Sequence, residues 1–331
     1  MFSTVFVEQD IYQTQRVQSI LAKIKYKNIK TLSRYDDVWG KVKKPYLQKR
    51  ENLNLFIANK RGNLIKETPD AYGTGRGKHF YFIHSYNCIY ECEYCYLQGY
   101  FNTPDIVFFV NHEDIVKQMG ELIQKYPNEE LWFHAGEFSD SLNLSHITQE
   151  YKIYYDFFKN NPNCFLELRS KSVNIKEVIE LPPLDNIIIS FSLASDSSAK
   201  EFDRKCPSIK HRLNAIEKLA YKNYKLGLHF DPIIYHEGFL EEYETIFEQL
   251  SHLPLETIQY ISIGVVRFTK DVYHQVANNY PDSNIHKLDF TKSFDNKLRY
   301  NRPMRMWVLN RIKNSLLLKG FQDEKIYLCM E

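Results

Sequence analysis

Glycine is scarce in this chain, with 12 residues among 331, against about 7% in average usage. A fold built on repeated Gly-rich phosphate loops is therefore disfavoured. Long apolar runs are missing too, and nothing approaches the ~20 residues a membrane span needs. The most apolar stretches are Ile187–Ile189 with Phe191 and Leu193, and Leu316–Leu318. They read as a buried strand and a core helix face. The N-terminus, Met1-Phe2-Ser3-Thr4-Val5-Phe6-Val7-Glu8, lacks a basic region followed by an apolar stretch and a cleavage site. Secretion is not expected on that ground, and a cytoplasmic location is. Cysteines number only six, and without secretion a disulfide framework is not expected either. No internal repeat or low-complexity tract is present. Hydrophobic residues at 44% and charged residues at 25% exclude a disordered or collagen-like chain.

Charge is nearly balanced, with 43 Lys+Arg against 41 Asp+Glu. The distribution is uneven. Residues 1–62 carry 13 Lys/Arg and 5 Asp/Glu, a balance of +8 that leaves −6 for the remainder. The basic part includes Lys23, Lys25, Lys27, Lys30, Lys41, Lys43, Lys44, Lys49 and Arg50. A second basic stretch is Lys297, Arg299, Arg302, Arg305 and Arg311. Tyr26, Trp39, Tyr46, Tyr300 and Trp307 lie among these charges. Cations with interleaved aromatics suit a polyanion such as DNA or another nucleic acid. A solvated lysine-rich face is the plainer alternative.

From about residue 80, strand and helix patterns alternate. The expected strands are His79–His84, Glu130–His134, Cys164–Leu168, Asn186–Leu193, Lys225–Asp231 and Tyr260–Val266. The expected helices are Glu113–Lys125, Leu144–Lys159, Ile175–Ile179, Ile209–Asn223 and Phe239–Ser251. Six β/α units in series predict a parallel sheet with helices outside, either doubly wound or a partial barrel. In both, ligands bind at the C-terminal strand ends. A helix over Met304–Lys319, ended by Gly320, and a final strand over Lys325–Cys329 complete the pattern.

Three of the six cysteines fall within eight positions, as Cys88-Ile89-Tyr90-Glu91-Cys92-Glu93-Tyr94-Cys95. Three thiolates on one tight loop can hold three corners of a cubane iron–sulfur cluster and leave one iron open. Zinc with a fourth ligand such as His84 is the competing metal. Buried cysteines without a metal are the third alternative.

The Cys-x3-Cys-x2-Cys spacing, with Tyr94 directly before the last cysteine, resembles the radical S-adenosylmethionine superfamily. Further motifs resemble its spore photoproduct lyase-like members. These are Cys95-Tyr96-Leu97-Gln98, Asn111, Phe138-Ser139-Asp140, Arg212-Leu213-Asn214-Ala215-Ile216, Tyr224 and Leu226-Gly227-Leu228-His229-Phe230-Asp231-Pro232-Ile233-Ile234. The resemblance implies an α/β fold, a partial (β/α)6 TIM-type barrel over residues 76–266. A basic N-terminal extension (1–75) would pack on it, and a C-terminal extension (267–331) would supply a helix and a final strand. It implies a [4Fe–4S] cluster on Cys88, Cys92 and Cys95, with S-adenosylmethionine on the open iron. Gly136, Glu137, Ser139, Lys171, Ser192 and Asp231 match positions that hold this cofactor. Reductive cleavage would give a 5′-deoxyadenosyl radical that abstracts hydrogen from substrate.

The resemblance further implies a DNA lesion as substrate and an external one-electron reductant of the flavodoxin or ferredoxin type. Tyr94 and Tyr96 match tyrosines of the family's radical relay. One departure stands out. Glu137 occupies the position where spore photoproduct lyase has a hydrogen-donating cysteine, and a carboxylate cannot donate a hydrogen atom. Cys329, in Tyr327-Leu328-Cys329-Met330, is a candidate replacement thiol. Cys164 and Cys206 are expected to be structural. Modification of RNA, a peptide or a small molecule, or a non-catalytic metal-containing nucleic-acid-binding protein, are the alternatives that the residues leave open.

Overall fold

The structure is a computed structural model that describes residues 1–41, 52–69 and 77–330. Lys43, Lys44, Tyr46, Lys49 and Arg50 of the basic N-terminal stretch lie outside the described residues. The chain opens with β1 (Phe2–Glu8), α1 (Gln15–Lys23), β2 (Tyr26–Leu32) and β3 (Leu55–Ala58). It continues through β4 (Ile65–Glu67) and β5 (Lys78–Phe82), then β6 (Ser85–Tyr86), β7 (Glu91–Cys92), α2 (Leu97–Tyr100) and β8 (Ile106–Phe109). Strands β2, β1, β3, β8 and β6 form a five-stranded sheet in that order, parallel except for β6. Thr14 caps α1 by accepting from the Val17 N–H, which satisfies one of the amides a helix start leaves free.

Period-two alternation gives this sheet two apolar faces. Val5, Val7, Leu55, Ile57, Ile106 and Phe108 pack with Val17, Ile20 and Leu21 of α1. Phe56, Ala58, Val107 and Phe109 join Tyr35, Tyr90, Leu97, Phe101 and Phe138 on the other side. Cys88 belongs to that second cluster. Lys25, Lys27 and Lys30 are exposed on or beside β2, the sheet's outer strand. Lysines there blunt an edge that would otherwise invite pairing.

The second half supplies α3 (His112–Lys125), β9 (Leu131–Ala135), α4 (Ser145–Thr148), α5 (Tyr151–Lys159), β10 (Cys164–Ser170) and α6 (Lys176–Ile179). Then come β11 (Ile187–Ser192), α7 (Asp196–Phe202), β12 (Asp203–Arg204), α8 (Ile209–Ala220), β13 (Lys225–Ile233), α9 (Phe239–Ser251) and β14 (Ile258–Val265). The chain ends with β15 (Arg267–Phe268), α10 (Lys270–Asn279), β16 (Thr291–Lys292), β17 (Leu298–Arg299), α11 (Arg302–Leu318) and β18 (Ile326–Leu328).

Strands β5, β9, β10, β11, β13 and β14 are neighbours in chain order and parallel throughout. This is the six-unit series expected, curved as a partial barrel. All six strands fall where the alternation placed them, within a few residues. Strand β18 adds parallel to β14, and β4 adds antiparallel to β5. Sheet membership therefore cuts across the division at residues 75 and 266, since β6 and β8 join the first sheet and β18 joins the barrel sheet.

The expected helix Leu144–Lys159 is two helices. Gln149 takes a left-handed backbone, φ 56°, at the end of α4, and α5 restarts after Glu150. Outward residues such as Phe133, Leu166, Ile189, Phe191, Leu228 and Phe230 pack under the helices. Inward residues are different in kind. Trp132, Ile188 and Tyr260, with Phe165 and Tyr327, form a small separate cluster. Two residues further along three of these strands stand His134, Glu167 and Ser190.

The C-terminal basic stretch is corrected by its burial. Arg299 and Arg305 are inside the protein. Arg299 donates to the Met330 carbonyl at 3.2 Å and Ser293 Oγ at 2.9 Å, and Arg305 donates to the Tyr300 carbonyl at 2.9 Å. A buried guanidinium needs such partners, and these two leave Arg302 and Arg311 exposed and Lys297 half-buried in that stretch. No helix among the described residues is long and apolar enough to cross a membrane.

Candidate active site

The cysteine loop lies between β6 and β8 and so is braced by the five-stranded sheet. Asn87, with a positive φ of 62°, turns the chain and ties it down by donating to the carbonyls of Thr103 at 2.7 Å and Asp105 at 2.8 Å. Cys88 follows, buried, its Sγ accepting from Asn143 Nδ2 at 3.2 Å and the Tyr90 N–H at 3.4 Å. Cys92 sits in β7, which pairs antiparallel with β12, opposite Asp203. A one-turn hydrogen bond from the Cys95 N–H to the Cys92 carbonyl, 3.1 Å, carries the chain into α2. Gln98 Nε2 closes the turn on the carbonyls of Cys92 and Glu93 at 3.1 and 2.9 Å.

The loop after β9 faces this one. Gly136 has φ 96°, and a Cβ there would meet Ser141 Oγ at 2.8 Å and the Arg169 carbonyl at 2.9 Å. Only glycine fits without a shift. The buried carboxylate of Asp140 organises the segment. It accepts from the N–H groups of Leu142 (3.1 Å), Asn143 (2.9 Å) and Lys171 (2.7 Å), and from Ser170 Oγ (2.7 Å). Asp140 thus joins the end of β9 to the end of β10 and aims Asn143 at Cys88. Ser139 is buried on the same loop. The backbone carbonyl of Glu137 accepts from Tyr96 Oη. Burial pushes the Glu137 carboxyl upward, opposed by Arg169 and Tyr96.

Lys171 is drawn to the loop. Its Nζ lies 3.3 Å from Cys92 Sγ and 2.8 Å from Asp203 Oδ1, and it donates to Tyr94 Oη. Burial alone would lower its pKa, but the surrounding anions, Asp203 foremost, raise it well above the ordinary value. Asp203 is held in turn by Tyr94 Oη and by the fully buried Arg212, 2.8 Å from Oδ2. Arg212 also donates to the Ser192 carbonyl at 3.0 Å, so it fixes the end of β11. Tyr94 is therefore enclosed between Lys171 and Asp203, whereas Tyr96 is 42% exposed.

Asp231, near the end of β13, is engaged by Arg267 through two hydrogen bonds of 2.9 and 3.0 Å. Cys329 follows β18 at the same end of the barrel, its Sγ 3.4 Å from Arg267 Nη2. Cys329 thus belongs to the barrel mouth, beside Arg267. The structure brings Cys92, Tyr94, Lys171 and Asp203 into one contact group, and Asp231, Arg267 and Cys329 into another.

Below the mouth the barrel interior holds a polar network on Glu167. Its carboxylate accepts from Ser190 Oγ (2.6 Å), Tyr260 Oη (2.5 Å) and Arg169 Nε (3.1 Å), and contacts His229 Nε2 at 3.0 Å and His134 Nδ1. His134 passes the chain on to His79 at 2.9 Å. Gly227 makes room for this, since a Cβ there would meet the Tyr260 hydroxyl at 2.6 Å.

Sequence reasoning missed Asn143, Arg169, Glu167, Asp203 and Cys206 as site-forming residues. Arg212 carried a readable signal, a cation on the apolar face of a helix defined by Ile209, Leu213 and Ile216. Glu167 carried another, an acid inside an otherwise apolar strand.

The donor set separates the metal alternatives. Among the described residues, the trio of acidic, histidine or cysteine ligand atoms lying within 4.8 Å of one another is Cys92, Asp203 and Cys206. Cys88, Cys92 and Cys95 are not gathered in that way, as ligands of one zinc ion would be. Thiols spread along one loop suit a multi-iron cluster. The Cys92 trio is a poor cation site, because Asp203 already carries an ammonium and a guanidinium.

A six-unit partial barrel with a Cys-x3-Cys-x2-Cys loop at its C-terminal mouth is the architecture of the radical S-adenosylmethionine superfamily. The model of the spore photoproduct lyase family matches residues 71–315, and the chain belongs to that family. Spore photoproduct lyase of Bacillus subtilis (strain 168) is 28% identical over 202 residues, 60% of this chain and 59% of the relative. That of Geobacillus sp. (strain Y412MC61) is 29% identical over 216 residues, 62% and 61% of the two chains. The matched regions span about three fifths of the length of these curated relatives. A solved spore photoproduct lyase complexed with dinucleoside spore photoproduct superposes with a TM-score of 0.82 at 20% identity, covering 99% of this chain and 98% of the other. A variant with bound AdoMet and the same dinucleoside gives 0.81 at 22% identity, with the same coverage. This likeness establishes the fold.

Proposed function

We propose that this chain is a radical S-adenosylmethionine enzyme that acts on a dinucleotide lesion of DNA. The observation that carries the reading is the placement of the Cys88–Cys95 loop against the ends of β9, β10 and β11. Those strand ends carry Gly136, Glu137, Ser139, Lys171 and Ser192. Cys88, Cys92 and Cys95 would ligate three irons of a [4Fe–4S] cluster. Gly136, Glu137, Ser139, Lys171, Ser192 and Asp231 would hold S-adenosylmethionine. When bound, the pair supplies reductive cleavage to a carbon radical able to take hydrogen from an unactivated C–H bond.

The chain's own residues set the surroundings. The Glu137 carboxylate suits an ammonium, with which it would form charge-assisted hydrogen bonds. Lys171, fixed by Asp203, places a positive charge beside the anionic sulfur of Cys92. The five-stranded sheet keeps the loop's back face dry. Tyr96 reaches across to Glu137 and closes the space between the two loops. The DNA assignment is supported by the relatives' bound dinucleoside and by exposed Lys23, Lys25, Lys27, Lys30 and Lys41. An external flavodoxin- or ferredoxin-type protein would supply the electron. Cys329 takes the thiol role that Glu137 cannot fill, because it is a thiol at the barrel mouth beside Asp231.

The test is anaerobic reconstitution of the full chain, followed by electron paramagnetic resonance and assay of 5′-deoxyadenosine. Dinucleoside spore photoproduct, deuterated at its abstractable position, should pass label into 5′-deoxyadenosine. A normal cluster with no cofactor cleavage sinks the enzymatic reading. Cleavage without label transfer sinks only the lesion. Cys329→Ala should keep cofactor cleavage and divert the product. An unchanged product excludes Cys329 as hydrogen donor.

A further inference from the structure

Cys206 stands outside the three-cysteine motif, and spacing alone reads it as structural. The fold gives it another place. Strand β12 runs antiparallel to β7 with Asp203 opposite Cys92. A tight turn follows, closed by the Cys206 N–H on the Asp203 carbonyl at 3.1 Å, with Lys205 at φ 60°. The turn returns Cys206 Sγ to 3.6 Å from Cys92 Sγ. Lys171 Nζ approaches the same sulfur at 3.3 Å. Two donors therefore converge on one candidate cluster ligand.

We propose that the Cys206 thiol donates an S–H···S hydrogen bond to the Cys92 sulfur and, with Lys171, eases reduction of the cluster; the inference rests on the cluster reading above. Ligating sulfurs on two corners of a cubane point away from each other. A sulfur in contact with Cys92 Sγ is therefore beside a ligand and is not a ligand of a second iron. A thiol in contact with a ligating sulfur is placed to donate its S–H to it, and the 3.6 Å separation of the two sulfurs is within that reach. Cys92 Sγ is the acceptor that the turn presents to this thiol, while the Asp203 oxygens already accept from Tyr94, Lys171 and Arg212. Cluster potentials respond to hydrogen bonds on the sulfurs and to local charge. Reduction adds one electron, and a donor on Cys92 stabilises the added negative charge. Cys206 is thus a positioning residue that acts through Cys92.

The experiment is a redox titration of the reconstituted full chain, followed by electron paramagnetic resonance. Cys206→Ala should keep the iron content and move the midpoint to more negative potential. The expected size is about tenfold in the reduction equilibrium, or about 59 mV for one electron. Cys206→Ser retains an O–H donor and should restore part of the shift. Cys164→Ala, a buried strand thiol away from the loop, should leave the midpoint in place. An unmoved midpoint in both Cys206 variants overturns the inference while leaving the enzymatic reading intact. Loss of iron in Cys206→Ala also overturns it, by making Cys206 a ligand. A wild-type chain that binds no cluster overturns both readings together.

Discussion

On β3, Ile57 packs with Val5, Val7 and Val17, and its neighbour Phe56 turns to the opposite side, where it meets another apolar cluster. On β10, Leu166 likewise packs outward, but its neighbour Glu167 turns inward to five polar partners. Both sheets are mainly parallel and both bury two faces. The five-stranded sheet fills its second face with rings and uses it to brace the cysteine loop. The barrel's inner face sets a network of ionisable groups on Glu167 beside a small apolar cluster of Trp132, Ile188 and Tyr260. Local period-two alternation looks alike in the two, and what separates them is closure. A curved sheet encloses its own inner face and can satisfy buried polar groups across strands that are distant in sequence. An open sheet cannot do this, and takes apolar cover instead.

The largest test of the contrast is Glu167→Ala. It removes the acceptor shared by Ser190, Tyr260, Arg169, His229 and His134. Breaking a buried, paired charge costs about 3–5 kcal/mol, measurable by urea denaturation. Glu167→Gln keeps part of the acceptor set and should lose less. A loss below about 1 kcal/mol in the alanine variant, the range of an exposed ion pair, would mean the inner face is solvated and the contrast is false.

The next test compares two buried carboxylates. Glu167 is held well below the ordinary range, since Arg169, His134 and His229 outweigh its burial. Glu150 borders a small internal cavity with His84, His112 and Asp140. Burial raises it to about 7, Thr148 and Arg16 only opposing in part. A carboxyl whose folded pKa lies above its unfolded value binds the proton more tightly when folded. Its effect is to lower stability as pH rises from about 4.5 to about 7. Glu150→Gln should therefore match wild type near pH 4.5 and become more stable by the order of 3 kcal/mol at pH 8. The two histidines, both pushed down by burial to about 4 and about 3, lose stability in acid. Both proteins carry them, so they cancel in the difference. A difference that does not change with pH would show that Glu150 is ionised in the folded state.

The barrel's order was readable because each strand carries its own apolar run and each helix its own spacing. The Cys88, Cys92 and Cys95 loop stood out in the sequence because its Cys-x3-Cys-x2-Cys spacing is local. The contacts that complete the site join residues far apart in sequence. Asp140 reaches Lys171, Lys171 reaches Asp203, and Cys206 reaches Cys92 across 114 positions. No local pattern announces such pairs. The N-terminal sheet went unread for a related reason, since β6 and β8 enter it from within the barrel's sequence. Net charge misled at Arg299 and Arg305, where partners in the fold, invisible to a charge count, draw the cations inside.

The smallest test stays on one strand and separates bracing from filling. Ile57→Val removes one methylene from the face under α1, at a cost of about 0.5–1.5 kcal/mol. Phe56→Leu, on the other face, keeps an apolar side chain and should cost about 1 kcal/mol in the same assay. The two should differ in what they do to the cluster. Phe56 stacks on Phe6 at 4.7 Å between ring centres and shares its apolar cluster with Cys88 and Tyr90. Loosening that face frees the loop that holds Cys88, so Phe56→Leu should lose reconstituted iron to a chelator faster than wild type. Ile57→Val should lose it at the wild-type rate. Equal rates in the two variants would mean that the loop is held by Asn87, Asp140 and Asn143 alone, and that the sheet's second face is filler like its first.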